Sequence, residues 1–483
     1  MPVFKVFFNL SIIILIASCS TNPATGEKQF TAFMSESQES RIGAENHQAI
    51  LAQFGYYKNP SIQRYVNSIG QKLAAKTERH NVKYTFTVID SPVVNAFAVP
   101  GGYIYISRGL MTLANDEAEL ASVIGHEIAH ITARHSAQQQ SQGMLANIGL
   151  AALSITTDLP SSAGQAASLG ADLYLKSYSR KHENQADELG IRYLNSVGYN
   201  PFAAQDFLRQ LEADSQLSAK VEGRSANAIP HFFSTHPITA SRINNTIQLA
   251  SAYPKQAAND NKVEYFSKID GMVYGESPKD GFIRGQRFIH TELGFKFKFP
   301  AEYKITNQRK QVVGKKGSIV IVFDGARKQA GQSIENFLVG GWLKGQKGYD
   351  APEHITVNGM AGVTTSVKAI ANGSSVTARL FAIAFSETQV YRFAMYYPNG
   401  TSDSALSALK KTAYSLKRLT SADRAKYKPK RIKVFAAKAS DSVSAYAAKM
   451  PFDDFREERF RVLNGLSPSD SLRANKLYKT ITE

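Results

Sequence analysis

The chain has 483 residues, of which 43% are hydrophobic and 20% charged, a balance that supports ordinary folded cores and excludes wholesale disorder. Its single cysteine excludes an internal disulfide and any zinc or iron-sulfur site built on several cysteines. A metal would have to rely on histidine and carboxylate. Lys and Arg number 57 against 40 Asp and Glu, a formal charge of +17. Residues 1–255 hold 20 basic and 19 acidic side chains while residues 256–483 hold 37 and 21, so any basic docking surface belongs to the C-terminal part.

Lys5 is followed by an almost uninterrupted apolar run to Ile16. The run is shorter than the roughly 20 residues of a spanning helix and has the length of a signal-peptide core. Ile16-Ala17-Ser18-Cys19 then places small residues before the only cysteine. This resembles a bacterial lipoprotein processing site, which implies removal of residues 1–18 and a lipid on Cys19. With Ser rather than Asp at position 20, the resemblance implies the outer membrane of a Gram-negative bacterium, with the protein body in the periplasm. A plain secretory signal or an uncleaved anchor is the alternative. The next most apolar stretch, Met144 to Ile155, is rich in Ala and Gly and reads as a buried or cleft-lining segment.

From Asn115 the sequence predicts a helix, with Asn115 as N-cap and Asp116, Glu117 and Glu119 at its positive end. Leu120, Ile124, Ile128 and Ile131 recur at helical spacing as its buried stripe. Another face carries His126-Glu127-Ile128-Ala129-His130, an H-E-x-x-H sequence. On a helix the two histidines project from successive turns, about 40° apart, and can share one zinc ion. Glu127 lies about 100° round from His126, off the ligand face but placed to take a proton from water at the metal. The competing account is an amphipathic helix with solvent-facing histidines, so a third ligand must be found.

Position 136 is Ser, which excludes a histidine six residues after His130. His135 falls roughly 140° from the ligand face if the helix continues, and is expected to face solvent. The better candidate is Glu183, in a segment that reads as helix up to Val197 and stops at Gly198 and Pro201. Glu183 and Asp187 share one face of it. Glu183 can then bind metal while Asp187 accepts a proton from the far nitrogen of a ligand histidine. His182 is the rival ligand, about 100° off that face.

Together these stretches resemble the zinc metalloproteases that include the HtpX heat-shock proteases, the CAAX prenyl proteases and the BepA-like periplasmic proteases. The match rests on Asn95-Ala96-Phe97-Ala98-Val99-Pro100-Gly101-Gly102-Tyr103, the His126–His130 helix, Glu183 to Asp187, and Ser234-Thr235-His236-Pro237. Asn22-Pro23-Ala24-Thr25-Gly26 through Ile42-Gly43 adds to it, and coverage is roughly residues 22–255. Unlike the HtpX and prenyl proteases, the chain lacks multiple membrane helices, and unlike BepA-like members it shows no 34-residue helical repeat downstream. The resemblance implies an endopeptidase holding one Zn2+ on His126, His130 and Glu183, with Glu127 as catalytic base. It implies that His236 approaches the metal, either stabilising the oxyanion or occupying the open zinc position. Arg242 would join Asp187 or the substrate carbonyl. Asn95, Ala96, Phe97 and Ala98 begin a strand, turn, strand pair whose edge can bind an extended polypeptide by main-chain pairing, or that only packs on the helix.

The expected organisation is a signal peptide (1–18), a tether (19–40), a mainly helical zinc metalloprotease domain with a small β-sheet (41–255), and a linker (256–280). An α+β accessory domain (281–420) and a basic linker with a small module (421–483) complete it. Period-two patterns at Phe295–Phe299, Ile319–Phe323, Val376–Phe385 and Val390–Tyr397 predict strands. Asn358-Gly359 and Asn372-Gly373 predict tight turns, and Ser333–Leu343 and Ser404–Leu416 helices. Glu292-Leu293-Gly294-Phe295 with Phe299-Pro300 resembles PsbP-like domains. Residues 424–438 hold seven Lys or Arg and no acid, a run that meets anionic peptidoglycan or lipid or is a solvated linker. Asp441, the Asn464-Gly465-Leu466 turn and Leu472–Ile481 resemble a LysM module, which implies peptidoglycan as a partner. Ser440 and Asn475 stand where that family has glycine. Polypeptide substrates and a membrane, through the lipid, are the other expected partners, and nucleic acid is not. The alternative function is a non-catalytic outer-membrane assembly or peptidoglycan-binding scaffold.

Overall fold

The computed structural model describes residues 19–145, 177–221, 235–237, 239–254, 260–371 and 374–483. The expected signal peptide, most of the apolar Met144–Ile155 stretch, Ser234, Lys255 with residues 256–259 of the linker, and the Asn372-Gly373 turn lie outside the described residues. The chain divides into two compact units, one built from residues up to Gly275 together with Lys430–Glu483, the other from Glu276–Pro429.

In the first unit a short hairpin, β1 (Cys19–Thr21) with β2 (Lys28–Phe30), leads to helices Glu36–Phe54 and Pro60–Ala74. The first of these helices opens on a Ser35/Gln38 capping box and the second on Asn59 followed by Pro60. A three-stranded sheet follows, with β3 (Thr85–Ile89) parallel to a central β5 (Tyr103–Ser107) and β4 (Ala96–Val99) antiparallel to it as an edge. The HExxH helix, Glu117–Thr132, is buried along its whole length. Leu120, Ile124 and Ile128 of its apolar stripe are fully enclosed and Ile131 nearly so.

Helix Arg180–Ser196 crosses the HExxH helix where Gly125 meets Gly190. A methyl group added at Gly190 would stand 3.1 Å from the His126 backbone nitrogen, so a side chain there would push the two helices apart by a few tenths of an ångström. That contact brings Glu183, two turns earlier, alongside the histidines. Helices Ala203–Val221, Ala240–Ser251 and Lys262–Ile269 complete this part of the unit.

The C-terminal residues return to the same unit as a βααβ element. Strands β17 (Arg431–Ala436) and β18 (Leu477–Thr482) pair antiparallel around helices Val443–Ala448 and Arg456–Asn464. Ile432, Phe460, Leu463 and Ile481 enter the core that also holds Leu120 and Ile124. Lys479 is fully buried, its Nζ donating to the carbonyls of Thr112, Leu113 and Ala114 at 2.7–3.0 Å. It thereby satisfies the end of the helix Arg108–Leu113 that leads into the HExxH helix. Asn475 adopts a left-handed φ of 63°, the conformation glycine would otherwise supply.

The second unit is sheet-rich. Seven antiparallel strands run in the order β12 (Glu353–Val357), β13 (Met360–Ala371), β14 (Ser374–Ala384), β15 (Gln389–Pro398), β11 (Ile319–Arg327), β10 (Gln311–Lys316) and β9 (Lys304–Gln308), and four more in the order β16 (Lys417–Arg418), β8 (Phe295–Lys298), β7 (Arg287–His290) and β6 (Phe282–Arg284). β8, β11, β14 and β15 lie over the predicted period-two segments. Asn358 and Gly359, both at positive φ, close the two-residue turn between Val357 and Met360. The helix Asp403–Tyr414 replaces the predicted Ser404–Leu416, and Ser333–Leu343 is a short turn of helix followed by a π-helical stretch, Phe337–Trp342.

Candidate metal centre

The HExxH helix begins one residue later than predicted. Asp116, not Asn115, is its N-cap, with Oδ1 accepting from the Glu119 amide at 2.8 Å, while the Asn115 amide donates to the Glu119 carboxylate. The helical frame then sets His126 and His130 on one face, with their Nε2 atoms 3.0 Å apart. Glu183, in the first turn of its helix, brings Oε2 to 3.5 Å from His126 Nε2 and Oε1 to 3.6 Å from His130 Nε2. His236 closes the group, its Nδ1 3.0 Å from Glu183 Oε1 and 3.3 Å from His126 Nε2. One donor atom from each of His126, His130, Glu183 and His236 lies within 4.8 Å of all the others, and all four residues are buried.

The residues behind these donors decide which atoms face inward. Asp187 Oδ1 sits 2.9 Å from His126 Nδ1, so Nδ1 carries a proton and Nε2 is the atom that would be offered to a metal. Arg242 grips Asp187 with two parallel bonds of 2.7 and 2.8 Å, reaches Glu183 Oε2 at 2.7 Å, and donates to the Pro237 carbonyl. Burial alone would depress the His126 pKa, but its hydrogen bonds to the carboxylates of Asp187 and Glu183 push it up to about 10. For Glu183 burial acts upward, and the His236 and His126 contacts more than reverse it, holding the carboxyl well below its usual range. The pocket thus favours positive charge at the point where these nitrogens and the carboxylate converge. A borderline-soft divalent cation with nitrogen and oxygen ligands fits that donor set.

Glu127 is completely enclosed, and neither of its oxygens makes a hydrogen bond of normal geometry. His236 Nε2 stands 3.3 Å from its Oε1. Burial raises its pKa, against the opposing pull of His236 and His126 and of the Ala98 backbone. Ala98 belongs to β4, the edge strand against the HExxH helix. Ala96, Phe97 and Ala98 are buried, and Asn95 is half-buried with its backbone tied to Ser107. Cys19, at the start of β1, is far from this group in sequence, and its side chain lies outside the described residues.

The expectation that His135 faces solvent is corrected. Arg134 takes a φ of 57°, so the chain turns after Thr132 and a new helix starts at 135, which invalidates extrapolation of the helical wheel. His135 is fully buried, its Nδ1 2.9 Å from His130 Nδ1 and its Nε2 2.8 Å from Gln185 Oε1. His182 stays outside the donor group and stacks on His135 at 4.4 Å. Sequence reasoning also missed Tyr178, whose ring stacks on His130 at 4.0 Å. A lone tyrosine carries no spacing signal that would have marked it.

Residues 60–249 match the model of peptidase family M48. The beta-barrel assembly-enhancing protease of Yersinia pestis is 28% identical over 246 residues, 49% of this chain and 49% of that protein. Its namesake in Escherichia coli is 27% identical over 245 residues, 49% of this chain and 48% of that one. Mitochondrial metalloendopeptidase OMA1 of Schizosaccharomyces pombe is 29% identical over 229 residues, 46% of this chain and 64% of that one. The chain thus spans about half the length of the bacterial relatives it matches. Over residues 60–249 the chain is thus similar to peptidase family M48.

Proposed function

We propose that the chain is a zinc-dependent endopeptidase that cleaves unfolded or misassembled proteins of a bacterial envelope. The observation that carries this is the buried convergence of His126, His130, Glu183 and His236 with Glu127 at its edge. His126, His130 and Glu183 would hold the ion. When bound, zinc supplies Lewis-acid polarisation of a peptide carbonyl and acidifies water to a pKa near 7. Glu127 accepts the proton of the attacking water and returns it to the leaving amine. Its dry surroundings, which raise its pKa, strengthen it as a base. Asp187 holds the His126 proton on Nδ1, and Arg242 holds Asp187 and Glu183 in place. The distances from His236 Nδ1 to Glu183 and His126 favour its acting as a fourth donor in this conformation. Withdrawn from there, its ring could serve the oxyanion instead.

The edge position of β4, next to Glu127, suits an extended substrate held by main-chain pairing. Such pairing tolerates many side chains. An envelope substrate is supported by the printed name of the bacterial relatives, beta-barrel assembly-enhancing protease. It agrees with a lipid on Cys19 that tethers a periplasmic body to the outer membrane. No helix among the described residues is long and apolar enough to cross a membrane. The βααβ order of residues 431–482 supports the LysM-like reading and peptidoglycan contact, and the strand-rich second unit the PsbP-like one.

Digestion of casein by the wild-type chain and by Glu127→Gln tests the proposal. Cleavage by the wild type alone is expected. Equal cleavage by both removes Glu127 from the reaction, and cleavage by neither favours the scaffold.

A further inference from the structure

The Asn22-Pro23-Ala24-Thr25-Gly26 segment has no part in the reaction above, yet Asn22 is 3% exposed. It begins a tight turn in which the Asn22 amide donates to Glu27 O at 2.7 Å and the Gly26 amide to Asn22 O at 2.9 Å. The orientation of its side chain follows from a donor that cannot be reversed. The backbone N–H of Ala24 donates to Asn22 Oδ1 at 2.9 Å, so Nδ2 is the atom that donates to Gln185 Oε1 at 3.2 Å. The same Gln185 oxygen lies 2.8 Å from His135 Nε2, and an acceptor there requires the proton on Nε2. A neutral His135 then has a bare Nδ1, which stands 2.9 Å from His130 Nδ1. That atom must therefore carry the His130 proton. His130 Nε2 is left bare, and it is the atom turned toward His126 and Glu183.

We infer that Asn22, Gln185 and His135 are positioning residues that fix the tautomer of His130 for metal binding, through a hydrogen-bonded chain that starts at the Ala24 amide. The inference rests on the zinc-site reading above. It fixes a proton on Nδ1 of both histidines of the HExxH helix by different means. His126 is held by the carboxylate of Asp187, and His130 by an uncharged chain. Partners of this kind orient a ligand imidazole and set its basicity. The turn at Asn22, three residues after the cysteine proposed to carry lipid, thereby acquires a role in the metal centre.

The chain of bonds predicts an inversion. Asn22→Asp replaces the Nδ2 donor with an acceptor, so the Gln185 amide must turn its NH2 outward to the new carboxylate and to His135. His135 Nε2 then accepts, its proton moves to Nδ1, and the His130 proton is displaced to Nε2, onto the metal-facing atom. Zinc affinity is measured by chelator competition on the full chain, on Asn22→Asp, on His135→Phe and on the double variant. Histidine tautomers are read by nitrogen-15 NMR on the metal-free proteins. Each single change is expected to weaken zinc binding about 10–100-fold, with the double variant within about twofold of His135→Phe, because Asn22 acts through His135. A merely structural contribution from the turn would multiply with the loss at His135. The inference is overturned if Asn22→Asp keeps wild-type affinity, if the two losses multiply, or if wild-type His135 carries its proton on Nδ1. Should the wild type bind no zinc, the protease reading fails, while the tautomers of the metal-free protein still decide the chain. Asn22→Asp is nearly isosteric and lies in a turn, so the test does not depend on His135→Phe folding.

Discussion

Both units have apolar cores, but among the described residues the buried charged side chains lie in the first. Around the HExxH helix the first unit encloses His126, Glu127, His130, Glu183, Asp187 and Arg242, and a little further away Glu39 between Arg79 and Arg134. The core of the second is aromatic, with Phe288, Phe295, Phe297, Phe323 and Phe393 in mutual ring contact, Phe297 and Phe323 at 4.5 Å. Its Arg392–Asp324 pair keeps about a quarter of each side chain exposed. Enclosing an ion costs several kcal/mol unless a partner and hydrogen bonds compensate, whereas burying a phenylalanine is favourable by about 1.5–3 kcal/mol without any partner. Charge is therefore concentrated where it can be used for chemistry, and the second unit is organised for packing.

The sharpest test of that contrast is a pair of substitutions. Glu127→Gln should lower the rate of peptide hydrolysis by at least about 10²-fold with bound zinc retained, measured by peptide cleavage and metal content. Phe323→Ala should cost the second unit about 3–5 kcal/mol in denaturant unfolding and leave zinc affinity unchanged. Loss of zinc on the aromatic substitution would break the separation between the units.

Within the first unit, Lys479→Met should cost about 3 kcal/mol, because the carbonyls of Thr112, Leu113 and Ala114 lose their shared donor in a site closed to water. The urea midpoint of the unit reads this out. The smallest effect concerns Asp214, whose pKa burial pushes up to about 6, with the Arg459 charge opposing. A carboxyl that holds its proton more tightly when folded contributes stability below its unfolded value, and that contribution is lost as pH rises through 6. Asp214→Asn should accordingly stabilise the chain by about 1–2 kcal/mol near pH 8 and by nothing near pH 3.5, as followed by thermal unfolding at both pH values.

What could be read from the chain itself follows the range of each interaction. The HExxH helix and the Glu183/Asp187 face rest on spacings of three and four residues, which a helix converts directly into a shared face. Asn358-Gly359 likewise announces its turn, since both residues tolerate positive φ. The N-cap was displaced by one position because Asn115 and Asp116 are both good caps, and only the contact of Asn115 with the Glu119 carboxylate decides between them. His135 was misplaced because nothing in Ala133-Arg134 announces a left-handed turn at an arginine. The return of the last strand had no local signal at all. Lys479 reaches a carbonyl 367 residues away, and on sequence alone it reads as one more surface cation in a basic segment. The chain from Asn22 to His130 was equally hidden, although each of its residues stood in a stretch the sequence marked or adjoined.

The measurement that bears most directly on the account is the zinc content of the purified chain, never exposed to chelator and then replenished with zinc, determined by elemental analysis beside His130→Ala and Glu183→Ala. One zinc per wild-type chain, lost from both variants, is predicted. A wild-type chain that holds no zinc after replenishment, or variants that hold as much as the wild type, would contradict it.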